Sequence, residues 1–257
     1  LIDQSLSTRL SEHVTNGAGF GIGWYRPQGP GRRGGPGVHR SARPAWNDEN
    51  LHDLALHIES PLFLAHVRAS TSGAVQRSNC HPFRQGRWLF VHNGMIESHR
   101  EFRRDLILAI EPRLVPDIQG TTDSELMFLL AVTFGLDSEP LRALETMAGF
   151  IEDVAARRGI EKPLQMTLGL ADGENLWAVR YSSRAESYTL FYSESSQALR
   201  VLYPDHPGLA DFPADARVVV SEPIGDVPKA WIAVPEATAL RVSGGEVELT
   251  GFAPRRP

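Results

Sequence analysis

Hydrophobic and polar positions change period several times along the chain, and the changes predict its elements. Residues 1–14 mix apolar and polar side chains and read as a short helical piece. In residues 15–25, Gly17, Gly19, Gly21 and Gly23 alternate with other residues before Trp24-Tyr25, which predicts a strand closely approached by another backbone. Residues 26–44 have no period and are rich in Gly, Pro and Arg, so they read as a surface loop with Arg32, Arg33, Arg40 and Arg43 in water. Leu51, Leu54, Ala55 and Ile58 then recur at helical spacing, with Asn47 as N-cap and Pro61 as the stop near Ser60.

Residues 62–67 and 88–92 are apolar runs of strand length. A helix is predicted from about Glu97 to Ile110, with Phe102, Leu106 and Ile110 inward. Another starts at Thr122 or Asp123 and runs through Phe134. A third spans 139–158 with Leu141, Leu144, Met147, Ile151 and Val154 as its stripe. Beyond it the period shortens, and residues 166–170, 176–181, 188–192, 217–220, 231–234, 239–242 and 246–249 read as strands. Asp172-Gly173 and Gly244-Gly245 supply the positive φ of tight hairpins. Strands, then three helices, then strands indicate an α+β layered fold rather than a doubly wound one. No linker divides the chain, so residues 1–257 are expected to form one domain.

Composition narrows the functional classes. With 42% apolar residues the chain can bury a sizeable core, and a net charge of -5 gives no hint of nucleic acid or an anionic membrane as partner. There is no run of 18 apolar residues and no leader-like start. A single cysteine excludes an internal disulfide and suits a reducing cytoplasm.

Polar clusters interrupt the apolar strands in one stretch. They read His66-Val-Arg68-Ala-Ser-Thr71-Ser-Gly73, Ser78-Asn-Cys80-His81-Pro82, Phe90-Val-His-Asn93-Gly94 and Thr121-Thr-Asp123-Ser-Glu125. Taken singly, each has an ordinary reading. Arg68 could pair with a local acid, Asn93-Gly94 could be a turn, Asp123 could cap a helix, and Cys80 could be a buried thiol. The spacing of His66, His81 and His92 matches no metal-ligand motif, and the glycine run is not a dinucleotide loop.

Taken together, the clusters resemble the glutaminase domain of class II glutamine amidotransferases, of the N-terminal-nucleophile (Ntn) hydrolase superfamily, and within it the bacterial stand-alone YafJ-like group. The resemblance runs from about Leu1 to Val234. It implies a four-layer αββα sandwich, and an activity that releases glutamate and ammonia from glutamine through a cysteine thioester. It further implies that Arg68 binds the α-carboxylate, Asp123 the α-amino group, and Asn93 with Gly94 the oxyanion, with Thr71 lining the pocket and His81 supporting it. No cofactor and no metal are called for, and the ammonia acceptor is not encoded here. The chain departs from the family in two places. Its first residue is Leu1, so the opening Cys and first strand are expected to be missing and the chain to be inactive without them. It also has Ala18 where an acid is usual. Two other classes share these residues: a hydrolase of γ-glutamyl amides of the ergothioneine-pathway type, and a non-enzymatic degenerate domain that binds amino acids.

Overall fold

The computed structural model describes residues 2–6, 15–27, 35–69, 74–202, 212–223 and 230–256. Glycine alternation decides how the fold's two main sheets meet. Strand β1 (Phe20–Trp24) pairs antiparallel with β2 (Gly37–Ser41) on one side and β3 (Phe63–Val67) on the other. Phe20 and Ile22 point to one face, where they pack with Ile2 of α1 (Ile2–Leu6) and Leu51 of α2 (Glu49–His57). Gly21 and Gly23 point to the other. A Cβ at Gly21 would fall on the carbonyl oxygen of His81, and one at Gly23 would lie 2.8 Å from Leu89 and 2.9 Å from Pro82. Glycine at both places lets the small sheet lie directly on the large one. Tyr25, next on that face, is instead buried, and its hydroxyl reaches the carbonyl oxygens of Ala171 (2.6 Å) and Arg87 (2.8 Å).

The remaining strands are β4 (Phe83–Gln85), β5 (Trp88–Ile96), β6 (Leu164–Ala171), β7 (Asn175–Ser182), β8 (Phe191–Ser193), β9 (Val219–Val220), β10 (Trp231–Ala233), β11 (Thr238–Ser243) and β12 (Glu246–Gly251). Six form the large sheet in the order β12-β11-β7-β6-β5-β4, with every neighbouring pair antiparallel. A third, smaller sheet has the order β10-β8-β9. Helices α3 (His99–Ala109), α4 (Asp123–Thr133) and α5 (Pro140–Ala156) cover the large sheet's outer face. There Phe102, Leu106, Leu144, Met147 and Ile151 pack with Trp88, Phe90 and Leu168, and Phe128 of α4 stacks on Phe90 with ring centroids 5.2 Å apart. The layers therefore run helix, sheet, sheet, helix: an αββα sandwich. Among the described residues no helix is long and apolar enough to cross a membrane.

Several sequence expectations change in detail. The 26–44 segment contains β2, and Arg40 lies half-buried in it with Nη1 3.4 Å from the Cys80 carbonyl oxygen. Arg43 is exposed as expected, while Arg32 and Arg33 lie outside the described residues. The cap of α2 is Asp48, which accepts from Leu51 N at 3.2 Å, rather than Asn47. This helix ends at His57, and Ala55 is exposed. The predicted α3, α4 and α5 stand within two residues of their expected ends, with Thr122 as the cap of α4. Both hairpin turns form with Gly173, Gly244 and Gly245 at positive φ.

The chain's end is strapped across α5. Phe252 is buried, Ala253 N donates to Glu145 Oε1 (3.3 Å), Arg255 N donates to Glu145 O (2.9 Å), and the Arg255 guanidinium pairs with the Glu145 carboxylate. The strap passes so close to Gly149 that a Cβ there would lie within 2.8 Å of Arg255 N and nearer still to its carbonyl. Helix propensity alone would make Gly149→Ala stabilising by about 1 kcal/mol. Displacing the strap costs more, because freeing a buried Phe costs about 2–3 kcal/mol. The variant should therefore be net destabilised by about 1–2 kcal/mol in urea unfolding; a gain in stability would show that the strap contributes little.

Candidate active site

On β3, Leu64 and His66 point toward the large sheet, and Arg68, just past the strand, continues that face. Leu64 packs with Tyr25, Leu89 and Ala171 between the sheets. His66 lies against the main chain at His92, so Arg68, one step further, lies toward the Asn93 end of β5. Arg68 extends the β1–β3 ladder, its N donating to Gly19 O (2.8 Å) and its O accepting from Ala18 N (2.9 Å). The side chain is 6% exposed, and its Nη1 donates to Ala74 O at 3.3 Å.

On β5 the two faces separate by alternation. Trp88, Phe90 and His92 face the helices, whereas Leu89, Val91, Asn93 and Met95 face the small sheet. Along that inner face Leu89 is buried, Val91 half-buried, and Asn93 and Met95 exposed. The cleft between the sheets thus opens at Asn93. The strand does not turn at Asn93-Gly94, as the dipeptide alone suggests. It continues to Ile96, pairing Asn93 with Thr167 and Gly94 with Met166 of β6. Gly94 has φ +146°, and a Cβ there would strike the Gln165 carbonyl and lie 2.8 Å from His92 Nε2. Only glycine fits.

Asp123, the first residue of α4, is bolted to the far end of the same strand. Its Oδ2 accepts from Ile96 N and its Oδ1 from Ser124 N, both at 2.8 Å. Ser124 Oγ is bonded to His92 Nδ1 (2.8 Å) and also reaches Asp123 Oδ1 (3.3 Å). Asn93, Gly94, His92 and Asp123 therefore belong to one bonded unit, with Arg68 on the sheet facing it.

Three buried histidines cluster here, His66 and His81 against each other and His92 on the helix face of β5. The ring of His81 lies 4.3 Å from that of His66 and edge-on to Phe83 at 4.7 Å. Among the described residues neither ring nitrogen of His81 has a hydrogen-bond partner. Burial pushes all three histidines below their ordinary range, His66 to about 4; the positive charge of Arg68 adds to the effect at His66 and His81, while Asp123 opposes it at His92. They are neutral at pH 7, so His81 supports β3 through the ring of His66 rather than as an ionic partner.

The family model described as "Glutamine amidotransferases class-II" matches residues 4–252. The chain belongs to this family. It is 30% identical over 270 residues to the probable glutamine amidotransferase DUG3 of Saccharomyces cerevisiae, covering 94% of this chain and 74% of that one. It is 26% identical over 230 residues to the gamma-glutamyl-hercynylcysteine sulfoxide hydrolase of Mycolicibacterium smegmatis, covering 86% and 88%. The solved glutamine aminotransferase class-II domain protein of Silicibacter pomeroyi superposes with a TM-score of 0.73 at 31% identity over 92% of both chains. The glutamine phosphoribosylpyrophosphate amidotransferase of B. subtilis shares the fold, with a TM-score of 0.61 at 12% identity over 93% of this chain and 44% of that one.

In this class II glutamine amidotransferase Cys80 sits away from solvent. It is fully buried, its Sγ lies 3.2 Å from Ser41 O, and desolvation pushes the thiol up despite nearby Arg68 and Arg40. Thr71 lies outside the described residues. The residues that sequence reasoning left without a role are Asn79, Gly120, Ser124 and Glu125. Asn79 stood in plain view beside His81-Pro82, but its partners are remote in sequence, so no local pattern reveals its task. Ser124 and Glu125 read as helix-start residues and are also that: Glu125 N donates to the Thr122 cap while the Glu125 carboxylate reaches back to Gln119 N (2.9 Å) and Gly120 N (2.8 Å).

Proposed function

We propose that the cleft between β3 and β5 binds free glutamine and that the reaction is hydrolysis of its side-chain amide to glutamate and ammonia. What supports this reading is one buried guanidinium, Arg68, just past β3, and one backbone-anchored carboxylate, Asp123, at the end of β5, with Asn93-Gly94 on that strand. An amino acid's zwitterionic end needs one cation and one anion. Arg68 takes the α-carboxylate and Asp123 the α-ammonium, while His81 and Thr71 support that end. The amide then points toward Asn93 and Gly94, whose side-chain amide and N–H stabilise the oxyanion. A cysteine thiolate attacks the amide carbon, the C–N bond breaks, ammonia leaves with a proton, and water releases glutamate from the thioester. Cys80 does not supply that thiolate, because it is sealed in the core. A cytoplasmic setting, where free glutamine is available, fits this reading.

A second reading, hydrolysis of a larger γ-glutamyl amide, is favoured by the likeness to the Mycolicibacterium hydrolase. The exposure of Asn93 and Met95 leaves room for a substituent on the amide nitrogen.

Calorimetry on the 257-residue chain separates the readings. Glutamine should bind, and Arg68→Ala should weaken it by about 2 kcal/mol or more, since a desolvated carboxylate loses its charged partner. Binding of a γ-glutamyl anilide but not of glutamine would favour the second reading, and binding of neither would end both. The chain alone should release no glutamate; release that disappears in Cys80→Ser would make Cys80 the nucleophile after all.

A further inference from the structure

Arg68 stands just past β3 and Asp123 opens α4, 55 positions apart, yet a zwitterion tolerates little variation in the distance between its two partners. Asn79 joins the two sides. It is fully buried, and its Nδ2 donates to Ala74 O at 2.9 Å, the same carbonyl that accepts from Arg68 Nη1. Its Oδ1 accepts from Thr121 N at 2.9 Å, and its Nδ2 also lies 3.2 Å from Thr121 Oγ1. Thr121 is two residues before Asp123, and its loop is held from the helix side by the Glu125 carboxylate on Gln119 N and Gly120 N. The approach is close: a Cβ on Gly120 would lie 2.5 Å from Asn79 Oδ1 and 2.9 Å from Ser78 O.

The chemistry specifies the residue. The Ala74 carbonyl needs a donor and the Thr121 N–H an acceptor, a few ångströms apart, and a primary amide offers both on one rigid plane. An aspartate would set oxygen against oxygen at Ala74, and an alkyl side chain would leave two buried peptide groups without this partner.

We propose that Asn79 is a positioning residue that sets the span between Arg68 and Asp123, and so makes the site selective for ligands carrying both an α-carboxylate and an α-ammonium. The inference rests on the reading of the cleft as an amino-acid site. A ligand that grips both partners depends on their spacing; a ligand that grips one does not.

The test compares three ligands on the full chain by saturation-transfer NMR. They are glutamine, glutaric acid monoamide, which lacks the α-amino group, and 4-aminobutanamide, which lacks the α-carboxylate. Two charge-neutral variants alter the clamp from opposite sides, Asn79→Ala by removing it and Gly120→Ala by wedging it apart. Both should weaken glutamine by roughly tenfold or more while changing each one-handed ligand by less than about threefold. Equal weakening of all three ligands in both variants would show that Asn79 merely holds up the fold, and unchanged glutamine affinity in both would show that the span is set elsewhere; either result overturns the proposal. A wild-type chain that binds one-handed ligands no worse than glutamine also overturns it, and one that binds none of the three removes the amino-acid site itself, which identifies the failure as that of the underlying reading.

Discussion

Lowering the pH from 7 to 4 should remove at least about 3 kcal/mol of folding stability through buried histidines, and a His66→Gln variant should be spared the His66 share. His66 is held neutral, its pKa depressed from 6.5 to about 4 chiefly by burial, then by His92 and Arg68. A group whose folded pKa lies below its unfolded one binds its proton first in the unfolded chain. Stability is therefore flat above about pH 6.5 and falls as the pH drops toward 4, at about 1.4 kcal/mol per unit for each such group. His81 and His92 are shifted the same way, again chiefly by burial, and steepen the fall. Glu125, pushed up by desolvation, acts in the opposite sense, because its cost at neutral pH is relieved on protonation. Comparing wild type with His66→Gln cancels Glu125 and the other carboxylates. The measurement is the urea unfolding free energy at half-unit steps from pH 7.5 to 4. Parallel curves for the two proteins would show that His66 is not held neutral by burial.

Asn93→Ala should slow turnover by roughly 100- to 1000-fold, about 3 kcal/mol of transition-state stabilisation, while leaving glutamine affinity nearly unchanged. The assay needs a form of the protein that turns over glutamine. The side chain of Asn93 is exposed at the open end of the cleft and sits in a strand held by β6, so removing it costs little structure. Its amide is proposed to meet negative charge that exists only after attack, so its loss should appear in kcat and in kcat/KM alike. A rise in KM at constant kcat would instead make Asn93 a ground-state contact, and the oxyanion would need another pair of donors. Gly94 admits no comparable test, because a side chain there collides with the Gln165 carbonyl before any catalytic effect could be read.

The two expected results depend on different amounts of tertiary information. That the segment around residues 20–24 is a strand approached by another backbone was legible from the alternation of Gly17, Gly19, Gly21 and Gly23, and the structure supplies the approaching groups, His81 and Leu89. The stripes of α3 and α5 and the positive-φ turns at Gly173 and Gly244 were equally local, since side-chain period and backbone freedom are properties of neighbouring residues. Asp123 at a helix start was visible in Thr-Thr-Asp-Ser-Glu. That its carboxylate reaches Ile96 N, 27 positions back, was not. The Gly-, Pro- and Arg-rich segment hid β2 because pairing with β1 contributes the order that composition lacked. Asn93-Gly94 has the composition of a turn, yet continuous pairing with β6 holds it in a strand. The sequence by itself determined the helices, the hairpins, the close-packed strand and the family that its polar clusters resemble. The tertiary structure decided which distant residues meet: Asp123 at Ile96 N, the ring of His66 against that of His81, and Asn79 joining Ala74 to Thr121, 42 positions on. The reason is that periodicity and capping are set by residues within a turn or two of each other, whereas these contacts exist only after two sheets have closed, and no local pattern carries the position of a partner that distant.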